Sequence, residues 1–185
     1  MRLWPLFLKL EGRRVLVVGA GRVAERKVAE LVDAAASILV VAPDVEASIE
    51  TMAKEGRVEL RRRPFVASDV DDAWLVIAAT GDRVVNRAVT DAATERRVFV
   101  NAVDDPDNAT AFFASVIRRP PFVVAISSTG ELPALSRLLR EILEAVLPEE
   151  RFIEAARALR RKWRAEHTPM ASRFSELVAA MKDAR

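Results

Sequence analysis

The chain of 185 residues contains no cysteine. Disulfides, thiolate metal centres and a cysteine nucleophile are therefore excluded. It has one histidine, His167, so no imidazole cluster can form and no metal site is expected. Long apolar runs are missing as well. No window approaches the roughly 20 residues that a membrane-spanning helix needs. The apolar start, Met1-Arg2-Leu3-Trp4-Pro5-Leu6-Phe7, is too short for a secretory leader, and Lys9, Glu11 and Arg13 follow it closely. These absences are compatible with a cytoplasmic protein, and no membrane partner is expected. Nor is charge of one sign dominant: 29 Lys and Arg stand against 27 Asp and Glu, a net +2. That excess does not call for a nucleic-acid partner. There are no internal repeats and no low-complexity segments.

What is present is a chain half hydrophobic, long enough for one ordinary domain with a smaller appendage. It is organised around one stretch. Val15-Leu16-Val17-Val18 is a continuous apolar run, followed at once by Gly19-Ala20-Gly21 and then by a helical pattern. The order is strand, tight turn, helix. The spacing Gly19-x-Gly21-x-x-Ala24 matches a dinucleotide fingerprint with Ala in the third place. Gly19 permits the turn, Gly21 lets a pyrophosphate approach the backbone, and Ala24 lets helix and strand pack closely. A helix from Arg22 would aim its free N–H groups at that phosphate. A plain strand-to-helix turn is the competing reading of the same glycines.

Apolar runs at 37–42, 73–79 and 98–101 read as further buried strands, with a shorter one at 58–61. Helical spacing marks 22–35, 44–54 with Asp44 as its cap, and a helix capped by Asp82. This alternation predicts an α/β fold: a Rossmann-like, doubly wound parallel sheet over residues 1–112. Two apolar runs, 111–117 and 122–127, are joined only by Arg118-Arg119-Pro120-Pro121, too short for a crossover helix, so they are expected to pair antiparallel. They open a small α+β region, 113–147. A C-terminal helical region, 148–185, follows, with Phe174, Leu177, Val178 and Met181 as the buried face of its last helix.

The C-terminal edge of an open α/β sheet is where ligands bind. Thr80, Gly81, Asp82 and Asn101 fall at that edge, after the fourth and fifth strands. Asp44 follows the second strand, where an acid can hold an adenosine ribose; it can equally cap a helix. Asp104 and Asp105 follow strand five and read either as a turn or as carboxylates able to take a proton. Ser127 and Ser128 precede a helix, where hydroxyls either cap it or help bind an anion. The basic run from Arg157 to Arg164 reads as a solvated helix face or as a polyanion site.

Several collinear segments resemble a known family, the precorrin-2 dehydrogenase or NAD-binding module of siroheme synthases. They are Pro5-Leu6-Phe7-Leu8-Lys9-Leu10, Val17-Val18-Gly19-Ala20-Gly21-Arg22-Val23-Ala24-Glu25-Arg26-Lys27, Ile77-Ala78-Ala79-Thr80, Val100-Asn101-Ala102-Val103-Asp104, and Val124-Ala125-Ile126-Ser127-Ser128 through Pro133-Ala134-Leu135. The resemblance implies oxidation of precorrin-2 to sirohydrochlorin with NAD as cofactor, and in some members insertion of ferrous iron. It implies that Arg22, Val23, Pro43 and Asp44 contact NAD, beside Gly19 and Gly21 of the fingerprint and Thr80 and Asn101 at the sheet edge, which are read as cofactor-binding from their positions. Asp104 would be the acid–base, and Ser128 would lie in the tetrapyrrole pocket and is phosphorylated in some members; Ser127, at the same helix start, is read as substrate-binding with it. Region 113–147 would form an intertwined homodimer. The chain departs from the family at Ala20 and Ala35, where Gly is common, and at Ala114, Arg118 and Thr129. A methyltransferase domain, fused in some members, is not expected. The competing functions are a non-catalytic, dimeric NAD-sensing module and a nucleic-acid binder working through residues 151–166.

Overall fold

The structure, a computed structural model, describes residues 2–103 and 105–183, the last two by backbone alone. The chain forms two compact units. One comprises the residues up to Ala114 together with Thr129–Glu131; the other comprises Ser115–Ser128 and the residues from Leu132 onward.

The first unit is built on five parallel strands: β1 (Arg14–Val18), β2 (Ser37–Val41), β3 (Glu59–Arg61), β4 (Leu75–Ala78) and β5 (Phe99–Ala102), in the order β3-β2-β1-β4-β5. Helices α1 (Arg22–Asp33), α2 (Ala47–Lys54) and α3 (Arg83–Glu95) connect them. The continuous apolar runs have a direct cause. Side chains alternate along a strand, and both faces of this sheet are covered. Val15 and Val17 pack with Val28 and Leu31 of α1 and Ile49 of α2. Leu16 and Val18 pack with Val70 on the opposite face, beside Val89 and Ala93 of α3. Each fully buried Val or Leu contributes roughly 1.5–3 kcal/mol. This is the expected doubly wound sheet.

Some boundaries differ from the sequence reading. Helix α1 stops at Asp33 because Ala35 takes a left-handed conformation, φ +53°. The Ala36 N–H then reaches back to the Leu31 carbonyl at 3.1 Å. Glycine is common here in the family that the chain resembles, and alanine bears a cost on the order of 1–2 kcal/mol in this conformation. Helix α2 begins at Ala47, with Glu46 rather than Asp44 at its cap position. The reason is tertiary: the Glu46 N–H is held by the Ala20 carbonyl at 3.0 Å, which lays 43–46 against the glycine turn before the helix can start.

After β3 the chain makes a 3-10 turn, Ala67–Val70, around the buried Asp69. Its carboxylate receives Arg63 at 2.7 Å, the Val66 N–H at 3.0 Å and Arg61 at 3.4 Å. Burial pushes this carboxyl upward, but the Arg63 and Val66 hydrogen bonds and both guanidinium charges outweigh it and hold it below the usual range. A lowered folded-state pKa stabilises above the unfolded value, and the gain is lost as pH falls through the folded one. Asp69→Asn should therefore cost about 2 kcal/mol at pH 7, less than for a fully buried pair because both arginines reach solvent. The deficit should shrink below about pH 4. Urea denaturation at pH 7 and pH 3 checks this, and an equal deficit at both would refute it.

The second unit holds the antiparallel pair β6 (Ser115–Arg119) and β7 (Phe122–Ile126), with a cis Pro120–Pro121 bond in the turn. Three helices follow: α4 (Pro133–Val146), α5 (Glu150–Ala165) and α6 (Met170–Asp183). Residues 111–114 are not strand, so β6 starts later than its apolar run. Helices α5 and α6 are tied where the buried Trp163 donates its indole N–H to Glu176 at 2.7 Å. Phe174 and Val178, expected in the buried face of α6, are instead 75% and 39% exposed.

Candidate cofactor site

The glycine turn is shaped from two sides. Gly19 has φ +102°, a conformation that favours glycine, and its N–H donates to Val41 of β2 at 2.9 Å. A Cβ placed there would stand 2.7 Å from the Ala79 carbonyl carbon and 3.0 Å from the Thr80 nitrogen. Gly19 is thus where the β1 turn presses against the end of β4. Gly21 differs: its φ is −84°, and a Cβ there would meet nothing within 4 Å. It faces open space at the N-cap of α1. No side chain caps that helix, so its first N–H groups have no internal partner. They form a positive, hydrogen-bond-donating end suited to an anion.

Across the turn, the β4–α3 loop is clamped. The buried Asn86 accepts the Thr80 N–H at 3.1 Å and donates to the Thr80 carbonyl at 3.0 Å. Its Oδ1 lies 2.7 Å from the Thr80 hydroxyl. Asp82 caps α3, accepting from the Val84 N–H at 2.7 Å. A third wall follows β5. Asn108 donates to Asp105 at 2.8 Å and accepts from Arg87 at 2.7 Å, which steadies a short 3-10 turn, Pro106–Asn108.

These three loops enclose a cleft of about 780 Å³ at the C-terminal edge of the sheet, inside the range of small-molecule and cofactor sites. Gly21, Arg22, Val23 and Thr80 line it together. Gly19 lies beneath, as the packing residue that sets the turn. Pro43 and Asp44 are exposed after β2 and do not line the cleft. Asn101 does not line it either: it is buried, and its amide donates to the Ala111 carbonyl at 2.9 Å. Ser127 and Ser128 belong to the second unit, where the Ser128 hydroxyl accepts the Leu132 N–H at 3.1 Å just before α4. Asp104 lies outside the described residues. Among the described residues, no group of three His, Cys, Asp or Glu is placed to hold a metal, and no helix is long and apolar enough to cross a membrane.

Several lining residues, Arg83, Asn86 and Asn108 among them, were not singled out from sequence. Asn86 had a signal: a polar side chain one turn into α3, next to its apolar stripe. Arg83 had none, because an arginine in a first helical turn looks like any surface residue.

The geometry fits a dinucleotide. Gly21 faces open space that a Cβ would enter without touching the chain, and the bare end of α1 opens into the same cleft. Comparison with known proteins agrees. Residues 6–115 match the family described as putative NAD(P)-binding. Siroheme synthase 3 of Aeromonas hydrophila subsp. hydrophila is 43% identical over 171 residues, covering 91% of this chain and 36% of that protein. Siroheme synthase 2 of Cronobacter sakazakii is 44% identical over 171 residues, covering 91% of this chain and 37% of its own length. The chain thus spans little more than a third of these relatives. A solved structure described as SirC, precorrin-2 dehydrogenase, shares the fold, with a TM-score of 0.73, 23% identity and 98% of both chains covered. With the fingerprint, the open cradle and the matched domain in one place, the chain belongs to the putative NAD(P)-binding family.

Proposed function

We propose that this protein oxidises precorrin-2 to sirohydrochlorin with NAD, in siroheme biosynthesis in the cytoplasm. The observation that carries the reading is the uncapped α1 terminus beside Gly21, facing a cleft whose other walls are the loops after β4 and β5. The names of the relatives and of the structure with the same fold support the substrate.

Bound NAD would accept the hydride that leaves the substrate. The chain supplies the rest. The first turn of α1, with Arg22 and Val23, holds the pyrophosphate. Pro43 and Asp44 follow β2, on the side where an adenosine ribose is held. NAD is preferred to NADP, because Asp44 would repel a 2′-phosphate and the arginines at the end of the neighbouring β3 are already engaged. Arg61 pairs with Glu59 at 2.7 Å, Arg62 with Glu50, and Arg63 with Asp69. Oxidation of the macrocycle releases a proton with each hydride, and a carboxylate after β5 takes it. Asp105 is occupied by Asn108, which favours Asp104 for that role. Ser127 and Ser128 bind the macrocycle's carboxylates. Ferrous iron is a substrate in this scheme, held by the macrocycle's own nitrogens; its insertion is read from siroheme absorption above the uncatalysed rate.

The test is anaerobic mixing of protein, NAD and precorrin-2. The expected result is NADH at 340 nm with the sirohydrochlorin spectrum, and slower turnover with NADP. NAD binding without turnover would replace this reading with an NAD-sensing module.

A homodimer completes the proposal, with 113–147 as its dimerisation region and 148–185 as a separate helical region. Leu138 and Ile142 of α4 are each 51% exposed, and Leu135, Leu139 and Val146 are exposed on the same helix. So large an apolar stripe on a single chain supports this reading. Sedimentation at micromolar concentration should give about twice the chain mass; a monomer would contradict it.

A further inference from the structure

The cleft contains two arginines, Arg22 and Arg83, and their surroundings differ in one decisive way. Arg22 opens α1, whose terminus has no side-chain cap. That helix end and Arg22 act on one anion together. Arg83 opens α3, whose terminus is already satisfied: Asp82 accepts from Val84 and Val85. The α3 end therefore offers no vacant N–H pair for a phosphate, and its dipole is answered by the Asp82 charge. Arg83 is exposed and, among the described residues, makes no hydrogen bond or ion pair, although Asp105 and Asp107 line the same cleft. It stands on the β4–β5 side, opposite the ribose side at β2, and so at the half of a bound dinucleotide where a second substrate must dock.

We infer that Arg83 is a specificity-determining residue that binds a carboxylate of the substrate, not the cofactor's pyrophosphate. This deepens the proposed function and rests on it. A tetrapyrrole edged with acetate and propionate groups presents carboxylates in several directions. A guanidinium in the first turn of α3 can take one of them bidentately and help to orient the macrocycle for hydride transfer. The Thr80–Asn86 hydrogen bonds fix the loop that leads into α3, so the backbone that carries Arg83 is held in place.

The test uses the full chain and Arg83→Gln, with Arg83→Lys as the conservative control. Three quantities are read: turnover of precorrin-2 with NAD, NADH affinity by fluorescence, and sirohydrochlorin affinity of the NAD-loaded protein by absorbance titration. For Arg83→Gln we expect the KM for precorrin-2 and the Kd for sirohydrochlorin to rise by roughly tenfold or more, the loss of one charge-assisted bidentate contact. The Kd for NADH should stay within about twofold, since Arg22 and the α1 terminus carry the phosphate. Arg83→Lys should recover part of the loss, because the charge remains and the fork does not. Weakened NADH binding in Arg83→Gln would overturn the inference in favour of a phosphate clamp. Unchanged sirohydrochlorin affinity would overturn it outright. Failure of the parent reading looks different: the unaltered protein would then give no turnover, and the macrocycle titration would still judge Arg83. No macrocycle binding by the unaltered protein would remove both.

Discussion

Replacing Asp104 with asparagine is expected to lower turnover of precorrin-2 by roughly 10²–10⁴-fold, the usual consequence of losing a general acid–base group. Fold and NAD affinity should not change. In the proposed mechanism a carboxylate after β5 removes the proton. Asparagine keeps the shape of that side chain and is as good a turn residue, but it cannot accept a proton at neutral pH. In sequence, Asp104 stands between Val103 and Asp105, both of which line the cleft. Asp105 provides the control. Its carboxylate is bound to the Asn108 amide, so Asp105→Asn should mainly loosen the 106–108 turn and cost far less activity. Near-normal turnover of Asp104→Asn beside an inactive Asp105→Asn would move the role by one residue. Normal turnover in both would remove the carboxylate from the mechanism.

Gly19→Ala is expected to destabilise the first unit by about 2–6 kcal/mol. Two costs add. Placing a side chain at φ +102° strains the backbone by about 1–3 kcal/mol. Overpacking costs about 1–3 kcal/mol more, because the new methyl would press on backbone at Ala79 and Thr80, which cannot swing aside. Gly21→Ala is the matched comparison. Its φ of −84° suits alanine, and open space receives the methyl. That variant should keep its stability and bind NAD more weakly, because the methyl enters the cradle. Urea midpoints and NADH titrations of the two variants should therefore separate along opposite axes. Equal stability of both would show that the two glycines do not divide the work in this way.

That division was half legible in the sequence. The spacing of Gly19 and Gly21 pointed to a tight turn, which is present, and to open backbone at Gly21, where a Cβ would meet nothing within 4 Å. What the spacing did not show is that Gly19 is required by the end of β4, sixty residues away in sequence. The buried strands were legible because a sheet covered on both faces leaves no polar positions in Val15-Leu16-Val17-Val18 or Ile38-Leu39-Val40-Val41. The start of α2 was not, since Asp44 is a good local cap and only the distant Ala20 carbonyl displaces it by holding Glu46. Asn101 shows a related limit. Its position at the end of a strand is right for a ligand, yet its amide is occupied by Ala111. Local pattern reports what a residue can do; a single tertiary hydrogen bond decides which option it takes.

The segment that occupies Asn101 has a wider consequence. Strand β5 is the last in the sheet, and its outer side would otherwise present unpaired backbone. Instead the Thr110 and Ala111 N–H groups donate to the Val100 carbonyl at 2.8 and 2.9 Å, and the Thr110 hydroxyl accepts the Val100 N–H at 2.9 Å. At the other border β3 is only three residues long and carries Glu59 and Arg61. Neither margin therefore offers a long, bare template on which another polypeptide could grow as an extra strand. The parallel sheet is sealed against sideways polymerisation. A concentrated solution of this protein should accordingly resist fibril growth for as long as residues 110–111 stay fastened to β5, and loosening that fastening is the route by which an aggregating variant would arise.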